Sequence, residues 1–422
     1  MKKLLEFIVP LAALPFAMAS PALAQSVPGL PDGAVEQAIA GHPRAGAADA
    51  RIDAARQNAR ALRSSPYEFS VTGDVARRSI DREGEYREYS VTVERPIRLP
   101  GKSAFDRAAG DSGIRAAQLR ADHARHELAL LLGSQWWDWL AAEQEARILT
   151  ETQANLDRAL WAVGRRVALN DAAQVDADLA RAAAASNRVT LGDAQSRAAV
   201  ARGRLAAQFP ALALPVDAPP LPEPVLDAPD LERLREAVIA RNHELPAASA
   251  EAERLAALSD KARRDRVPDP TIGARVFSER SGIEKGAGLV LSIPIGGRYR
   301  SAISGLAQAE AQVARADTAA ARFDVQETAA TDWSLAANGA RAWAASRDAL
   351  ASSTVAVNRL RRGYRLGGID LVDLLYAERQ AKEAALTENA ARAAALGAQT
   401  RFRIDAHDLW LRCSHPQEII NG

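Results

Sequence analysis

The 422-residue sequence predicts a mainly α-helical protein with a small β part, in which a strand-strand-helix-helix unit occurs twice. The first observation behind this class is an internal repeat. Residues 163–183 align without a gap on residues 360–380, a separation of 197 (360 − 163). The second is a pair of uninterrupted helical patterns, residues 102–168 and 299–366, each about 100 Å long at 1.5 Å per residue. Self-similarity on this scale indicates duplication of a structural unit.

The repeat divides the chain into predicted segments. Two alanine-rich repeats, in which helices can approach closely, flank a connector whose seven prolines favour an extended chain. Each repeat is predicted to open with one helix of about 30 residues and to end with a return helix after the long one. The predicted bounds are 25–209 for the first repeat, 210–229 for the connector, 230–405 for the second repeat and 406–422 for a C-terminal tail, with opening helices at 34–63 and 231–265.

The N-terminus has the pattern of a secretory signal peptide. Lys2 and Lys3 precede an apolar run, and Ala22-Leu23-Ala24 supplies the small residues of a cleavage site, so residues 1–24 are expected to be removed. An exported chain is therefore expected. Cys413 is the only cysteine, so neither a lipid anchor at the junction nor an internal disulfide is predicted.

Charge and motifs exclude several functional classes. The chain carries 54 Lys and Arg against 53 Asp and Glu, a balance that argues against a nucleic-acid partner. There is no arrangement of Ser, His and Asp for nucleophilic catalysis, so no enzyme and no cofactor are predicted. The Pro-Gly-Lys-Ser at residues 100–103 does not make a phosphate loop, because that motif requires glycine where Pro96 stands.

Four strands are predicted from alternating apolar and polar residues. Tyr89, Val91 and Val93, for example, alternate with polar neighbours, as in strands that face lipid on one side. A pair of soluble hairpins packed on the helices is the alternative. The predicted strands are 67–79 and 85–97 in the first repeat, and 269–280 and 286–295 in the second.

Four strands are too few to close a membrane barrel, because about eight are the practical minimum. Open sheet edges in lipid would leave backbone groups unpaired. A homotrimer would supply 3 × 4 = 12 strands, an even number, and its long helices would form a tunnel beneath them. The strand-to-helix joints are predicted to turn at small or rigid residues, namely Pro96, Gly101, Pro294, Gly296 and Gly297.

Three motifs carry a resemblance to a known family: RPIRLPGK and SIPIGGR at the joints, and YRLGGIDLVDLLYAERQ at the second helical turn. The chain resembles the TolC-like outer membrane factors over essentially its whole mature length, and RPIRLPGK is most similar to the heavy-metal cation branch. The resemblance implies a trimer with a 12-stranded outer-membrane β-barrel on a long periplasmic α-helical barrel. It further implies a passive exit duct of a tripartite efflux system, working with a periplasmic adaptor and an inner-membrane RND-type pump.

Two alternatives to efflux stay open from the sequence. One is a type I secretion duct for polypeptides. The other is a soluble periplasmic helical scaffold or adaptor, although such adaptors usually carry one hairpin rather than two copies of a larger unit. The resemblance favours metal cations as cargo, with drugs or organic solvents and then polypeptides behind them.

The resemblance also implies an aperture at the far helical turns, closed by a tyrosine, an arginine and two aspartates. Tyr364 and Asp373 match the tyrosine and one aspartate. Ile369 stands at the arginine position and Tyr376 at the second aspartate position. Asp176, the repeat partner of Asp373, is predicted to restore charge, so a trimer would hold up to six carboxylates, a field that favours cations.

The two turns are also predicted to contact the adaptor. Their residues are small or apolar at an exposed tip, which suggests a partner: Val167, Ala168, Leu169, Leu366, Gly367 and Gly368. Asp171 and Asp370 are expected to cap the return helices.

The remaining candidates are given structural roles. His123 and His126 have the spacing of a shared metal site but are expected to be solvated helix residues, and no metal site is predicted. His407, in the C-terminal tail, is likewise expected to be solvated and not to bind a metal. The tryptophans are expected to gather in a core where the repeats pack: Trp136, Trp137, Trp139 and Trp333.

Overall fold

A computed structural model describes residues 27–64, 67–225 and 228–411. The predicted signal peptide, Cys413 and His415 lie outside these residues. In the described part, the elements follow one another in two matching series. The first series is α1 Asp32–Ala40, α2 Pro43–Ser64, β1 Ser70–Ile80, β2 Gly84–Pro96, α3 Lys102–Ala168 and α4 Gln174–Gln208. The second is α5 Ala228–Arg241, α6 Glu244–Arg264, β3 Thr271–Glu279, β4 Glu284–Ser292, α7 Arg298–Arg365 and α8 Leu371–Asp405.

The opening helix of each repeat is two helices rather than the predicted one. In the first repeat α2 begins at Pro43, whose ring has no N–H to continue the preceding helix. In the second, Pro246 lies in the first turn of α6, and the Asn242 side chain accepts a hydrogen bond of 3.0 Å from the backbone N–H of Leu245. Proline therefore breaks both opening segments at corresponding places.

The long helices α3 and α7 have 67 and 68 residues, and most of the other helices pack against them. Helix α3 packs against α2 and α4 of its own repeat and against α6 and α8 of the other, while α7 packs against α5, α6 and α8. No helix in the described segments is both long and apolar enough to cross a membrane.

The tryptophans do not form the single predicted core. Trp136 and Trp139 are fully buried, with ring centres 5.3 Å apart, in a cluster that includes Phe209. Trp333 instead packs beside a separate cluster that contains Phe402. The repeats are joined directly by Trp137, whose indole N–H donates to the Thr400 hydroxyl over 2.8 Å.

The four strands form one antiparallel sheet in the order β1-β2-β3-β4. The two hairpins are joined by pairing of β2 with β3, in which Val91 lies opposite Val276. Each strand begins and ends within three residues of its predicted bounds. Along β2 the apolar Tyr89, Val91 and Val93 lie on the more exposed face, and the polar residues between them lie on the half-covered face.

The connector and the start of the tail are packed onto the helices. Residues 210–225 contain neither helix nor strand, and the Leu221 carbonyl accepts a hydrogen bond of 3.2 Å from Arg392 of α8. Beyond α8, Leu409 and Trp410 are buried in the same cluster as Trp136. The end of the second repeat is thus held against α3.

Candidate functional site

The first strand-to-helix joint turns sharply between β2 and α3. Pro96 is the last residue of β2, and Gly101, with a φ of 88°, is the N-cap of α3. This φ lies in the left-handed region that glycine adopts without strain, so the sequence-based prediction for Gly101 has a direct physical basis.

Lys102, the first residue of α3, is the centre of the joint. Its side chain is only 4% exposed, and its ammonium group lies 2.9 Å from Asp269 Oδ1 and 3.1 Å from Asp265 Oδ1. It also donates to the Val267 carbonyl over 2.8 Å. The lysine of the Pro-Gly-Lys-Ser motif therefore fastens the start of α3 to the segment between α6 and β3, in the other repeat.

Asp269, in the second repeat, accepts hydrogen bonds from residues of the first repeat. The backbone N–H of Leu99 donates to its Oδ1 over 3.0 Å, and the Tyr67 hydroxyl donates to its Oδ2. One helical turn further on, Arg98 forms an ion pair with the buried Asp106. This ionic network links the start of α3 and the residues before it to the segment between α6 and β3.

The second joint is built differently. Pro294 lies two residues beyond the end of β4, and a Cβ on Gly296 would meet the Arg266 carbonyl oxygen at 2.8 Å, so glycine is required there by close approach. Gly297 lies at the joint as well, at the N-cap of α7, but its conformation does not require glycine. Its φ of −136° and ψ of −172° are ordinary extended values, and a Cβ there would meet open space.

The two far turns have the same geometry in both repeats. Leu169 and Leu366 cap α3 and α7, and each is followed by a residue in the left-handed region, Asn170 with φ 59° and Gly367 with φ 78°. These positions are separated by 197 (367 − 170). Most of the predicted adaptor-contact residues are exposed here: Ala168, Leu169, Leu366, Gly367 and Gly368, with Val167 half-buried.

Behind the turns lies a cluster of apolar side chains that joins the two repeats, which we name the turn cluster. It contains Val163 from α3, Tyr364 from α7 and residues of both return helices: Ala177, Ala180, Leu371 and Leu374. Tyr364 is 8% exposed, so within one chain it is a packed residue at the base of the turns.

Arg166 is a residue of this region that the sequence analysis missed. Its guanidinium carbon lies 5.9 Å from the centre of the Tyr364 ring, and its Nε lies 2.9 Å from Asp171 Oδ2. It thereby links the first turn to a residue of the second. The expected cap role of Asp171 is wrong, because α4 is capped at Ala173 and the Asp171 carboxylate is held by Arg166. Asp370 does stand at the N-cap of α8, but without a side-chain cap bond.

Ile369, which stands where the resemblance implies an arginine, packs into the turn. A Cβ on Gly363 would lie 2.5 Å from Ile369 Cγ1, so the two residues are in close contact. Ile369 also packs against the turn cluster. Arg166, from the other repeat, is the arginine whose guanidinium lies against the Tyr364 ring.

The remaining predicted aperture residues lie on the first turns of the return helices. Asp176 and Asp373 are in the first turns of α4 and α8, where the helix dipole stabilises a carboxylate. Asp373 is exposed and Asp176 is half-buried, and neither side chain has a hydrogen bond or ion pair with the described residues. Tyr376 is 53% exposed, and its hydroxyl accepts a hydrogen bond of 2.7 Å from Gln380.

A second polar site lies near the other end of α8, and we name it the buried ionic cluster. His126 of α3 lies 2.6 Å from Asp405 Oδ1, and Arg401 Nε lies 3.1 Å from Oδ1 of the buried Asp332. The ring of His407 lies 5.2 Å from that of His126. The expectation that His126 and His407 are ordinary solvated residues is wrong, because both are largely buried among charged groups.

The sequence spacing of His126 and His407 does not predict this cluster, since its members lie on α3, α7, α8 and the turn after α8. The ring of His243, between α5 and α6, lies 4.4 Å from that of His407. Even so, no three His, Cys, Asp or Glu side chains among the described residues are arranged to hold a metal ion.

Comparison with solved structures identifies the fold. Over 89% of this chain and 95% of the other, the architecture matches the outer membrane protein VceC of Vibrio cholerae, with a TM-score of 0.72 and 16% identity. The MtrE outer membrane channel of Neisseria gonorrhoeae matches over 90% of this chain and 89% of its own, with a TM-score of 0.71 and 17% identity. The CmeC outer membrane channel of Campylobacter jejuni matches over 97% and 95%, with a TM-score of 0.67 and 14% identity.

These likenesses show that the chain has the fold of the TolC-like outer membrane factors, as the sequence motifs predicted. No family model matches the sequence, and no curated protein does. The similarity therefore lies in the duplicated architecture.

Proposed function

We propose that this chain is one protomer of a homotrimeric outer-membrane exit duct of a tripartite efflux system. The duct is passive, without catalysis or cofactor, and lets small solutes leave the cell when it is docked to a periplasmic adaptor and an inner-membrane RND-type pump. The TolC-like fold supports this proposal, since the structures that share it are described as outer membrane proteins and channels.

The observation that carries the proposal is the orientation of the sheet residues. In β2 the apolar side chains are on the more exposed face, the reverse of a sheet that packs on a soluble core. Leu289 and Leu291 in β4 are 93% and 65% exposed. Large exposed apolar surface of this kind is stable only against lipid or another protein.

The edges of the sheet support the trimer. Within the described chain β1 and β4 each pair on one side only. In a bilayer, unpaired N–H and C=O groups on these edges would each cost several kcal/mol. Pairing β4 of one protomer with β1 of the next, three times over, closes a 12-stranded barrel in the outer membrane, above a helical extension in the periplasm.

At the far end, we propose that the duct is closed by Asp176, Asp373, Tyr364 and Tyr376. The two aspartates form rings of carboxylates at the mouth, while Tyr364 holds the two turns together with Arg166. The exposed tip residues Leu169 and Leu366 are the centre of the adaptor contact. Because both turns have the same backbone geometry, each protomer offers the adaptor two similar docking positions.

We infer that metal cations are the cargo, on the strength of the carboxylates at the mouth and of the resemblance at the first joint. Organic solutes and secreted polypeptides are the alternatives. A transport assay in cells that lack their own duct separates them: protection against divalent metal salts supports the inference, and protection against drugs alone contradicts it.

The duct itself is tested by extraction and by single-channel recording of the purified chain in a planar bilayer. We expect a detergent-dependent, heat-modifiable trimer with a small cation-selective conductance. A protein that is soluble without detergent and forms no channel at any concentration would contradict the duct and favour the periplasmic scaffold.

Substitution of Arg166 by alanine is expected to increase the single-channel conductance. The change removes the contact with the Tyr364 ring and the ion pair with Asp171, so the first turn loses its link to the second. The matched control is Arg165→Ala, which removes the same charge from an exposed neighbour. Equal conductance in the two variants would show that Arg166 does not hold the turns.

A further inference from the structure

The buried ionic cluster places two carboxyl groups beside a single arginine. The side chains of Asp332 and Asp405 are 1% and 6% exposed. Both face the single guanidinium of Arg401, whose Nε lies 3.1 Å from Asp332 Oδ1 and 3.4 Å from Asp405 Oδ2. Burying two ionised carboxylates beside one arginine is costly, because like charges in a poorly solvated site repel strongly.

The hydrogen bonds of the two carboxyl groups are also incomplete. Asp332 Oδ2 and Asp405 Oδ2 are buried and have no hydrogen-bond donor among the described residues. The two carboxyl groups flank the same atom, Arg401 Nε. A proton on one of them would supply the missing donor, as in other carboxyl pairs that share a proton.

The first repeat lacks this arrangement, although it shares the fold. At the same separation of 197, Asp332 corresponds to Gln135 (332 − 197) and Asp405 to Gln208 (405 − 197). The correspondence is direct for the second pair, since α4 ends at Gln208 and α8 at Asp405. The duplicated fold therefore forms without buried carboxyls at these positions, so they are not required by the architecture.

We propose that Asp332 and Asp405 share one buried proton, that this proton fastens the end of α8 to α3 and α7, and that its loss under alkaline conditions loosens this end of the second repeat. When the proton leaves, two carboxylates face each other beside one arginine. Their repulsion then weakens two contacts, that of Asp405 with His126 of α3 and that of Asp332 with Arg401. The inference does not depend on the proposed function.

The pKa directions agree with this proposal. Burial, and then the neighbouring Asp405, raise the pKa of Asp332 to about 8. Burial alone would raise the pKa of Asp405, but hydrogen bonds from His126 and Asp332 and the charge of Arg401 lower it. Since the folded pKa of Asp332 is above its unfolded value, its stabilising contribution is complete in acid and is lost as the pH rises through about 8.

His407, which lies beside the pair, does not titrate in this range. Burial, and then His243 and His126, lower the pKa of His407 to about 3, so it stays neutral from about pH 7 to about pH 9. Arg241 of α5 also lies at this end of α8 and donates a hydrogen bond to the Ala406 carbonyl.

Hydrogen exchange of the full chain tests the proposal. The protection factors of backbone amides in residues 400–411 are expected to fall about tenfold between about pH 7 and about pH 9, the change for one group with a pKa of about 8. Asp332→Asn keeps the shape and donates an amide N–H to Asp405, so its protection factors are expected to stay flat. Amides of residues 203–212, in the first repeat, serve as the internal control.

Two further variants identify the proton carrier. His126→Gln is expected to keep the tenfold fall in protection factors. Asp405→Asn is expected to abolish that fall, and it provides the test if Asp332→Asn does not fold. An infrared band of a buried carboxylic acid at neutral pH is expected in the natural chain and not in Asp332→Asn. Constant protection in the natural chain, an unchanged fall in Asp332→Asn, or its loss in His126→Gln would each overturn the proposal.

Discussion

Replacing Lys102 with methionine is expected to destabilise the first strand-to-helix joint by about 3 kcal/mol. The substitution keeps the length of the side chain but leaves Asp269, 12% exposed, and Asp265 without the cation between them. It also leaves the Val267 carbonyl without its donor. The expected cost is at the lower end for a broken buried ion pair, because Tyr67 and Leu99 continue to donate to Asp269.

The measurement is the thermal stability of the purified protein, with hydrogen exchange of residues 95–104 as the local readout. Lys261→Met is the matched control, since it removes a partially exposed partner of the same Asp265 and is expected to cost less than about 1 kcal/mol. The double variant Lys102→Met with Asp269→Asn is expected to regain part of the loss. A Lys102 variant as stable as the Lys261 control would show that the joint does not depend on this ion pair.

Replacing Asp176 and Asp373 together with alanine is expected to raise the single-channel conductance severalfold and to reduce the preference for cations. Neither carboxylate has a partner among the described residues, which leaves both available to face the aperture of the proposed trimer. Removing them takes up to six charges from the mouth. The mouth would lose the negative field that favours cations, together with any hydrogen bonds that these carboxylates make between protomers.

Asp178→Ala with Asp370→Ala is the matched control for this experiment. Asp178 lies on α4 close to Asp176 but is already paired with Arg181, and Asp370 stands at the N-cap of α8 without a cap bond. The control removes the same charge and is expected to leave conductance and selectivity unchanged. Equal effects of the two double variants would place the aperture elsewhere.

The sequence predicted the parts of the molecule that depend on local pattern. The long helices and the strands have strong periodicity, and the repeat separation of 197 already paired Leu169 with Leu366 and Asp176 with Asp373. The break in the opening helix was not predicted, because Pro43 lies inside a segment whose pattern is helical on both sides.

The side-chain partners could not be predicted in the same way. Lys102 forms an ion pair with Asp269, and Arg166 packs against the Tyr364 ring. In both pairs the partners are more than 160 residues apart in the sequence. Which residues face each other then depends on how each long helix is rotated about its axis. Helical periodicity defines a face of one helix, but it does not state which face of a distant helix packs on it.

The pairing of β2 with β3 has a consequence for the order in which the chain folds. Val91 and Val276 lie opposite each other but are separated by 185 residues (276 − 91). Joining the hairpins therefore requires closing a very long loop, which is slow compared with the formation of helices and of each hairpin alone. The sheet is expected to be the last part of the chain to assemble, after α3, α6 and α7 have brought the hairpins together. Until then, its apolar face does not exist as a continuous surface.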